Sequence, residues 1–484
     1  MRIRLTSLIA LFLAVLNVAA QEQFTLPGGT TVQVKTITAD LNTPASIAVA
    51  SDGYIWVADR NTGDIWRMNA EPYKKKMGSV ELTVDPENAQ IRGYLHAIEV
   101  MNVADGYGFL VFTMRTTALN TLIIAKHTFN GAELSEPETI LTIPNVPYNQ
   151  GHTIRALADR TLLISVGSYD DPSPSRLDNL NGKVIRVDEN GSPVSNNPFY
   201  NAGRPYDAQN YVYSIGHRQA AGLTQIPSSH ATLAGSVFNV EPGANGADEI
   251  NLVQAGQDHG WRHVSGYCEG TLTGFVCPKA TFNLVPSSVA YYGSNAIPEW
   301  NNSLLIGTLS VYGGLIVADL RNDGGIANID PARPANDVLI VTEERQFIFV
   351  SPRDIERVRD VEVGKDGRVY LAVFEGGLNP QGRVLVLENP AVHTPVGVDE
   401  EAAQLGNVSF GPNPMQTSLY VTLNESTSTS WNARIVNMLG QTMVNQTMPA
   451  GSVSTSLPTG SMPSGSYMLV IEAGHDRQVF PVIR

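Results

Sequence analysis

In the segment NQGHTIRAL, His152 and Arg155 lead directly into an otherwise apolar run. A neutral imidazole near physiological pH can take the proton of an alcohol, which is general-base chemistry, although a lone histidine at the start of a strand is structural more often than not. In YSIGHRQAAGL, Arg218 follows His217 among small and apolar residues. An always-charged guanidinium there needs a carboxylate or an electron-rich carbonyl, and an ion pair between neighbouring sheets would meet that need as well as a ligand would. A third stretch, EPGANGADEINLVQAGQDHGWRHVSGYC, carries three early glycines, the adjacent acids Asp248 and Glu249, and then HGW. Calcium selects hard oxygens, including carbonyls exposed by glycine-rich turns; a solvated acidic turn is the plainer reading. In ERVRDVEV, Arg357 and Arg359 are two apart and so share one side of a strand. Val361 and Val363 continue that side, which points the arginines inward, where they require an anion.

Several catalytic signatures are missing from the sequence. No GxGxxG opens a dinucleotide site, no GxSxG supplies a serine nucleophile, and no HExxH or paired CxxC suggests zinc.

The elements that must position these residues are short strands. Within 484 residues, 43% are hydrophobic and only 16% charged, with 43 glycines and 29 prolines, a composition suited to strands joined by tight turns. An apolar strand, a turn on Gly, Asn or Asp, and further alternating strands recur six times, starting near Ala45, Leu95, His152, Val212, Pro286 and Arg357. Sheets arranged radially cover each other and leave only short edges, so the expected fold is all-β, a six-bladed β-propeller over 21–390. Two stacked sandwiches are the runner-up. A linker is expected over 391–405, where prolines give way to DEEAAQ, and a small β-sandwich over 406–484.

The N-terminal MRIRLTSLIALFLAVLNVAA reads as an export signal over 1–20, and no later stretch is long and apolar enough to span a membrane. The net charge is −14, and loss of Arg2 and Arg4 with the leader makes it two more negative, which disfavours nucleic acid and anionic membrane. Cys268 and Cys277 lie in a Gly- and Thr-rich stretch of an exported chain, which predicts a loop-closing disulfide; two free buried thiols are the alternative.

The tail resembles the C-terminal sorting domain of the type IX secretion system of Bacteroidetes. The residues that carry this are GPNP at Gly411–Pro414, NMLGQ at Asn437–Gln441, and SGSYMLVI at Ser464–Ile471 before the basic end at Arg484. The resemblance implies secretion machinery as a partner and a secreted or cell-surface location. A carbohydrate-binding or adhesive sandwich is the alternative.

Over residues 45–388, HTIRAL, GKVIRVDENGSPVSNNPF, GHRQAAGL, ADEINLVQAGQDHGW, PSSVAYY, WNNSLLIG and RVRDVEVGKDGRVYL occur in that order. The series resembles the soluble glucose/sorbosone dehydrogenases that use pyrroloquinoline quinone (PQQ) and calcium. The resemblance implies that His152 is the catalytic base, that Arg218, Arg357 and Arg359 bind the cofactor with Gln219 and Arg92 as further contacts, and that Gly243 and Ala244 hold Ca2+ through backbone oxygens beside Asp248 and Glu249. Several arginines converging on a planar tricarboxylate suit its chemistry. A small-molecule sugar would be the substrate and an external electron acceptor would close the cycle.

The chain also departs from the pattern. After GHR, Gln219, Ala220 and Ala221 replace Asn, Pro and Gln of the glucose branch, and Ser310 stands where that branch carries a lysine. These departures keep a second reading open, a propeller that binds glycan or protein without turnover. A lactonase on a similar propeller needs an axial Glu, Asn and Asp set that the sequence does not assemble.

Overall fold

The structure is a computed structural model and describes residues 22–393 and 408–484, apart from 71–72, 104–107, 147–151, 169–173, 267, 269–273, 311–313, 330–338, 340–345, 348–355, 376–381, 425, 428–429, 438–440 and 474–475. The expected leader and most of the expected linker lie outside the described residues, as does the centre of NMLGQ.

Six antiparallel sheets follow one another along the chain. Their first strands are Pro44–Val49, Tyr94–Asn102, Ile154–Ala156, Gly222–Gln225, Pro286–Tyr292 and Glu356–Val363. Each of these contacts the first strand of the next sheet, and the sixth returns to the first, so the cycle closes with six members. That is a six-bladed propeller with the first strands around its axis. The two ends of the propeller are joined within blade 6, where Thr31–Leu41 pairs with Gly382–Glu388 and Glu22–Thr25 adds an outer strand.

A blade buries its apolar faces only against its neighbours. Each of the six gaps accordingly holds its own apolar cluster, from Trp56 and Phe129 between blades 1 and 2 to Tyr370 and Ile47 between blades 6 and 1. The fourth repeat does not begin at Val212 as expected. Val212–Ile215 pairs with Lys183–Val187 and completes blade 3, and blade 4 opens at Gly222. An outer strand buried on one side alternates just as an inner one does, so the pattern alone misplaced the boundary.

Four of the six first strands share a local irregularity. The register skips one residue between Pro44 and Ser46, Leu95 and Ala97, Pro286 and Ser288, and Val358 and Asp360. The extra residues are Ala45, His96, Ser287 and Arg359. A bulge of this kind re-aims a side chain and breaks the two-residue period. It overturns one expectation, that Val361 and Val363 continue the side of Arg357 and Arg359. Val358 and Val361, three apart, both pack in the gap between blades 5 and 6, while Asp360 and Glu362 face the axis.

Residues 408–484 form two further sheets. One holds Val408–Gly411, Ser418–Leu423 and Ser454–Pro458; the other holds Thr442–Met448, Trp431–Asn437, Ser466–Ala473 and Asp476–Ile483. Trp431, Leu419, Ile435, Leu469 and Val482 fill the core between them, as a sandwich requires.

Candidate active site at one end of the propeller axis

Residues at the beginnings of parallel first strands gather at one end of a propeller. His152 precedes the first strand of blade 3 and is buried, with the N–H of Gly167 reaching its Nδ1 at 3.4 Å. The contact is long, and since a main-chain N–H can only donate, it makes Nδ1 the acceptor. The ring meets His96 edge to face, with centroids 5.3 Å apart. His96 is the bulge residue of blade 2. Its Nδ1 accepts from Nη1 of Arg60 at 3.1 Å and its Nε2 donates to Thr116 Oγ1 at 2.8 Å, so both ring nitrogens are committed in a neutral imidazole. Burial, with the nearby charges of Arg60, His152 and Arg359, holds its pKa well below the usual value.

Arg357 and Arg359 enter the same neighbourhood from blade 6. Both lie over the ring of Phe374, their Cζ atoms 5.9 and 4.5 Å from its centroid. The Nε atoms of both are buried and meet no acceptor among the described residues. Burial and the charges of Arg60 and Arg357 bring Arg359 down to about 9. A cation lowered in this way is short of a counter-charge. The donor set suits a buried anion with several carboxylates, and PQQ fits that description.

Arg218 leaves the loop between blades 3 and 4, its Nη1 donating to the carbonyl of Pro242 at 2.7 Å and its Cζ lying 5.2 Å from the Trp261 ring centroid. Its main chain is fixed from two directions. Its N–H and that of Gln219 donate to Glu241 Oε2 at 2.9 and 3.1 Å, while its carbonyl accepts from the N–H of Ser168 at 2.8 Å. Glu241 also accepts from His217 Nδ1 at 2.7 Å and Asn239 Nδ2 at 2.9 Å. Burial alone would raise the Glu241 pKa, but the His217 charge and these bonds outweigh it and hold the carboxylate at about 2.

The glycine-rich loop folds onto its own acids. Asp248 accepts N–H bonds from Gly243 at 2.9 Å and from Leu284 and Val285 at 2.7 Å. Glu249 accepts from Gly266 N–H at 2.5 Å and Asn251 Nδ2 at 3.0 Å, and burial with the Glu241 charge pushes it up to about 8. Gly243 must be glycine, because a Cβ would stand 1.6 Å from the Ala247 carbonyl oxygen. The N–H of Ala244 is held by Ser265 Oγ at 3.0 Å. Asp248 therefore braces the loop that presents Gly243 and Ala244. Among the described residues, no three acidic, histidine or cysteine side chains are placed to hold a metal, so a cation here would draw on main-chain carbonyls. The loop is closed further along by the Cys268–Cys277 disulfide.

Arg92 donates to the carbonyl of Asn61 at 2.7 Å and so supports the loop that carries Arg60. Ser310, through its N–H, bonds the Leu284 carbonyl at 3.3 Å. Arg155 lies on the axis itself, with Nη2 2.5 Å from Glu362 and Nη1 3.4 Å from Glu99. With Asp360 and Ser288 these residues line a cavity of about 10 Å³. Burial, with repulsion from Glu362, raises both Glu99 and Asp360 to about 7.

Sequence reasoning named His152, Arg218, Arg357 and Arg359 but passed over Arg60, His96 and Glu241. His96 was hidden because a bulge residue falls outside the alternation that guides the eye. Arg60 sits in VADRNTG, an ordinary-looking turn after a buried strand, and only the fold brings it to His96.

Comparison with known proteins bears on the fold and the family. An aldose sugar dehydrogenase of Escherichia coli is 27% identical over 230 residues, 44% of this chain and 54% of that protein. A quinoprotein glucose dehydrogenase B of Acinetobacter calcoaceticus is 24% identical over 279 residues, 48% of this chain and 53% of that one. The matched stretch thus spans about half the length of these relatives. The fold is shared with a PQQ-bound aldose sugar dehydrogenase of Streptomyces coelicolor (TM-score 0.56, 24% identity, 75% of this chain and 100% of that one). It is shared also with the apo aldose sugar dehydrogenase of E. coli (TM-score 0.57, 20% identity, 74% and 99%). Residues 410–483 match the secretion system C-terminal sorting domain, which marks the chain for export by type IX secretion to the cell surface or extracellular space. No helix among the described residues is long and apolar enough to cross a membrane. With residues 41–383 matching the family model for glucose/sorbosone dehydrogenase, well over half of its length, the chain belongs to that family.

Proposed function

We propose that this protein is an exported quinoprotein that oxidises the hydroxyl of an aldose or related sugar, with PQQ as hydride acceptor and Ca2+ beside it. The observation that carries this reading is the pair Arg357 and Arg359, half-buried side chains whose buried Nε atoms meet no acceptor among the described residues, in the electrostatic neighbourhood of His96 and His152. When bound, the quinone supplies the hydride-accepting centre and the cation polarises its carbonyl.

The chain's own residues do the rest. Arg357, Arg359 and Arg218 grip the cofactor's carboxylates, with fork geometry suited to that task. The carbonyls of Gly243 and Ala244 would hold the cation, on a loop held by Asp248. Glu249 accepts from the N–H of Gly266 and so fixes the far side of that loop. Gln219, next to Arg218 and held through its N–H by Glu241, would contact the cofactor. Arg92 acts at one remove, through the loop at Asn61. His152 takes the hydroxyl proton. That role requires an imidazole that is neutral before the step.

The test is dye-linked oxidation of a panel of aldoses by the full chain supplied with PQQ and calcium, with His152→Ala as control. PQQ-dependent turnover lost in His152→Ala supports the reading. Sugar binding that is indifferent to PQQ, without turnover, would replace it with a non-catalytic glycan-binding propeller.

A further inference from the structure

A cavity of about 380 Å³ lies at the opposite end of the propeller from His152. Its walls come from the far ends of first strands. Tyr291 and Gly293 end that strand in blade 5, Val363 and Lys365 end it in blade 6, and the turn over 227–230 follows it in blade 4. Lys365 comes eight residues after Arg357, so extended chain separates the two ends by roughly 25 Å. Between them the axis is filled by Arg155 with Glu99 and Glu362.

Two rings form a fixed corner in this cavity. His230 Nδ1 accepts from the N–H groups of Thr232 at 3.2 Å and Leu233 at 3.1 Å, so its proton is on Nε2, which donates to Asn302 Oδ1 at 2.9 Å. Tyr291 donates its hydroxyl to the same oxygen at 3.2 Å, and Asn302 is itself tied through Nδ2 to the Leu320 carbonyl at 2.8 Å. The rings meet edge to face with centroids 6.0 Å apart. Gly293 leaves room for this corner, since a Cβ there would stand 2.6 Å from Cε1 of Tyr291. The polar tips of both rings are thus engaged within the protein, and the pair presents ring carbon to the cavity. Pro227 and Val363 extend that apolar wall, while Ser229 and the exposed Lys365 add a hydroxyl and an amine. No carboxylate lines the cavity, and the neighbouring Asp366 is engaged with Arg368.

We propose that this cavity binds a glycosyl residue carrying a carboxylate, a hexuronate unit of a glycan, and so holds the exported propeller on a polysaccharide while the end bearing His152 stays open. A pyranose has carbon-rich faces that pack on aromatic rings, hydroxyl edges that bond to serine, and, when oxidised at C6, an anion for the lysine. The cavity falls within the range of about 300–1,000 Å³ that holds small ligands. The inference depends neither on PQQ nor on His152.

The test uses the full chain and the methyl β-glycosides of D-glucuronate and D-glucose, which differ only at C6 and have no free anomeric hydroxyl. Affinities are measured by calorimetry, and the site is located by hydrogen exchange over 226–231, 291–295 and 363–366. The glucuronate glycoside is expected to bind more tightly and to slow exchange in all three segments. Lys365→Ala should weaken it by about fivefold, the strength of one exposed ion pair, while binding of the glucose glycoside and dye-linked aldose oxidation stay unchanged. Tyr291→Leu should weaken both glycosides by about tenfold; should that variant fail to fold, Ser229→Trp, at an exposed position, obstructs the cavity and serves the same comparison. Unchanged exchange in these segments, protection confined to the segments around His152, or equal affinity of wild type and variants would each overturn the proposal. Tighter binding of the glucose glycoside would overturn the choice of an acidic sugar.

Discussion

His152 and Arg218 are fastened to consecutive residues of one strand end: Gly167 donates its N–H to His152 Nδ1 at 3.4 Å, and Ser168 donates its N–H to the Arg218 carbonyl at 2.8 Å. The proposed base and the proposed cofactor-side arginine therefore share one support, further tied by Ser168 Oγ to the His217 carbonyl at 2.7 Å. In the proposed reaction such a support would set the distance between proton acceptor and ligand, the geometric requirement for general-base catalysis.

Replacing His152 with alanine should lower kcat for sugar oxidation by about 10²–10⁴-fold. Affinity for PQQ should hardly change, because the carboxylate-binding arginines remain. Steady-state kinetics alongside a PQQ titration check this. A parallel loss of PQQ affinity would show that His152 is structural.

Arg359 is a case where binding opposes stability. Its folded pKa, about 9, is below that of a free guanidinium because of burial and the charges of Arg60 and Arg357. A cation whose pKa falls on folding destabilises the folded state wherever it is protonated, below about 9, and that cost fades as pH rises above it. Arg359→Gln should accordingly raise the thermal midpoint of the ligand-free protein at pH 7 by a few degrees while weakening tricarboxylate binding. Differential scanning calorimetry with and without PQQ reads both effects.

The axial acids predict a second pH dependence. Glu99 and Asp360 have folded pKa values raised to about 7 by burial and by Glu362. The folded state therefore holds protons that the unfolded chain releases nearer pH 4. Their share of stability is fully present below the ordinary carboxylate range and is lost as pH rises to about 7. Glu99→Gln should flatten the fall in thermal midpoint between pH 5 and pH 7, on the order of the loss expected from one carboxylate. Arg155→Met should destabilise the protein by about 3–5 kcal/mol, since it leaves Glu99 and Glu362 buried without their cation. Chemical denaturation at several pH values distinguishes the two variants.

Glu241 acts in the opposite direction. Its folded pKa near 2 lies below the ordinary value, with burial outweighed by His217 and the hydrogen bonds it accepts taken together. The stability it contributes is present above about pH 4.5 and is lost as pH falls through the folded value. Glu241→Gln should shrink this acid-side loss and also loosen Arg218, whose N–H it accepts. In a double-mutant cycle on PQQ affinity, Arg218→Ala with Glu241→Gln should cost no more than Arg218→Ala alone. Additive losses would show that Glu241 does not act through Arg218.

The sequence by itself determined the number of blades, the export tail and most of the cationic residues. Alternating apolar runs, turn residues and their sixfold recurrence are local properties, set by the need of each strand to bury one or both faces. His152, Arg218, Arg357 and Arg359 were legible because charge on an apolar strand stands out wherever it occurs. What only the tertiary structure decided were the boundary at Gly222, the sides taken by Val361 and Asp360, the bracing role of Asp248, and the presence of Arg60 and His96. Each depends on strand pairing or on a bulge. One extra residue opposite a partner strand costs little locally yet reverses the facing of every side chain beyond it, and nothing in a single strand's composition records which partner it will meet.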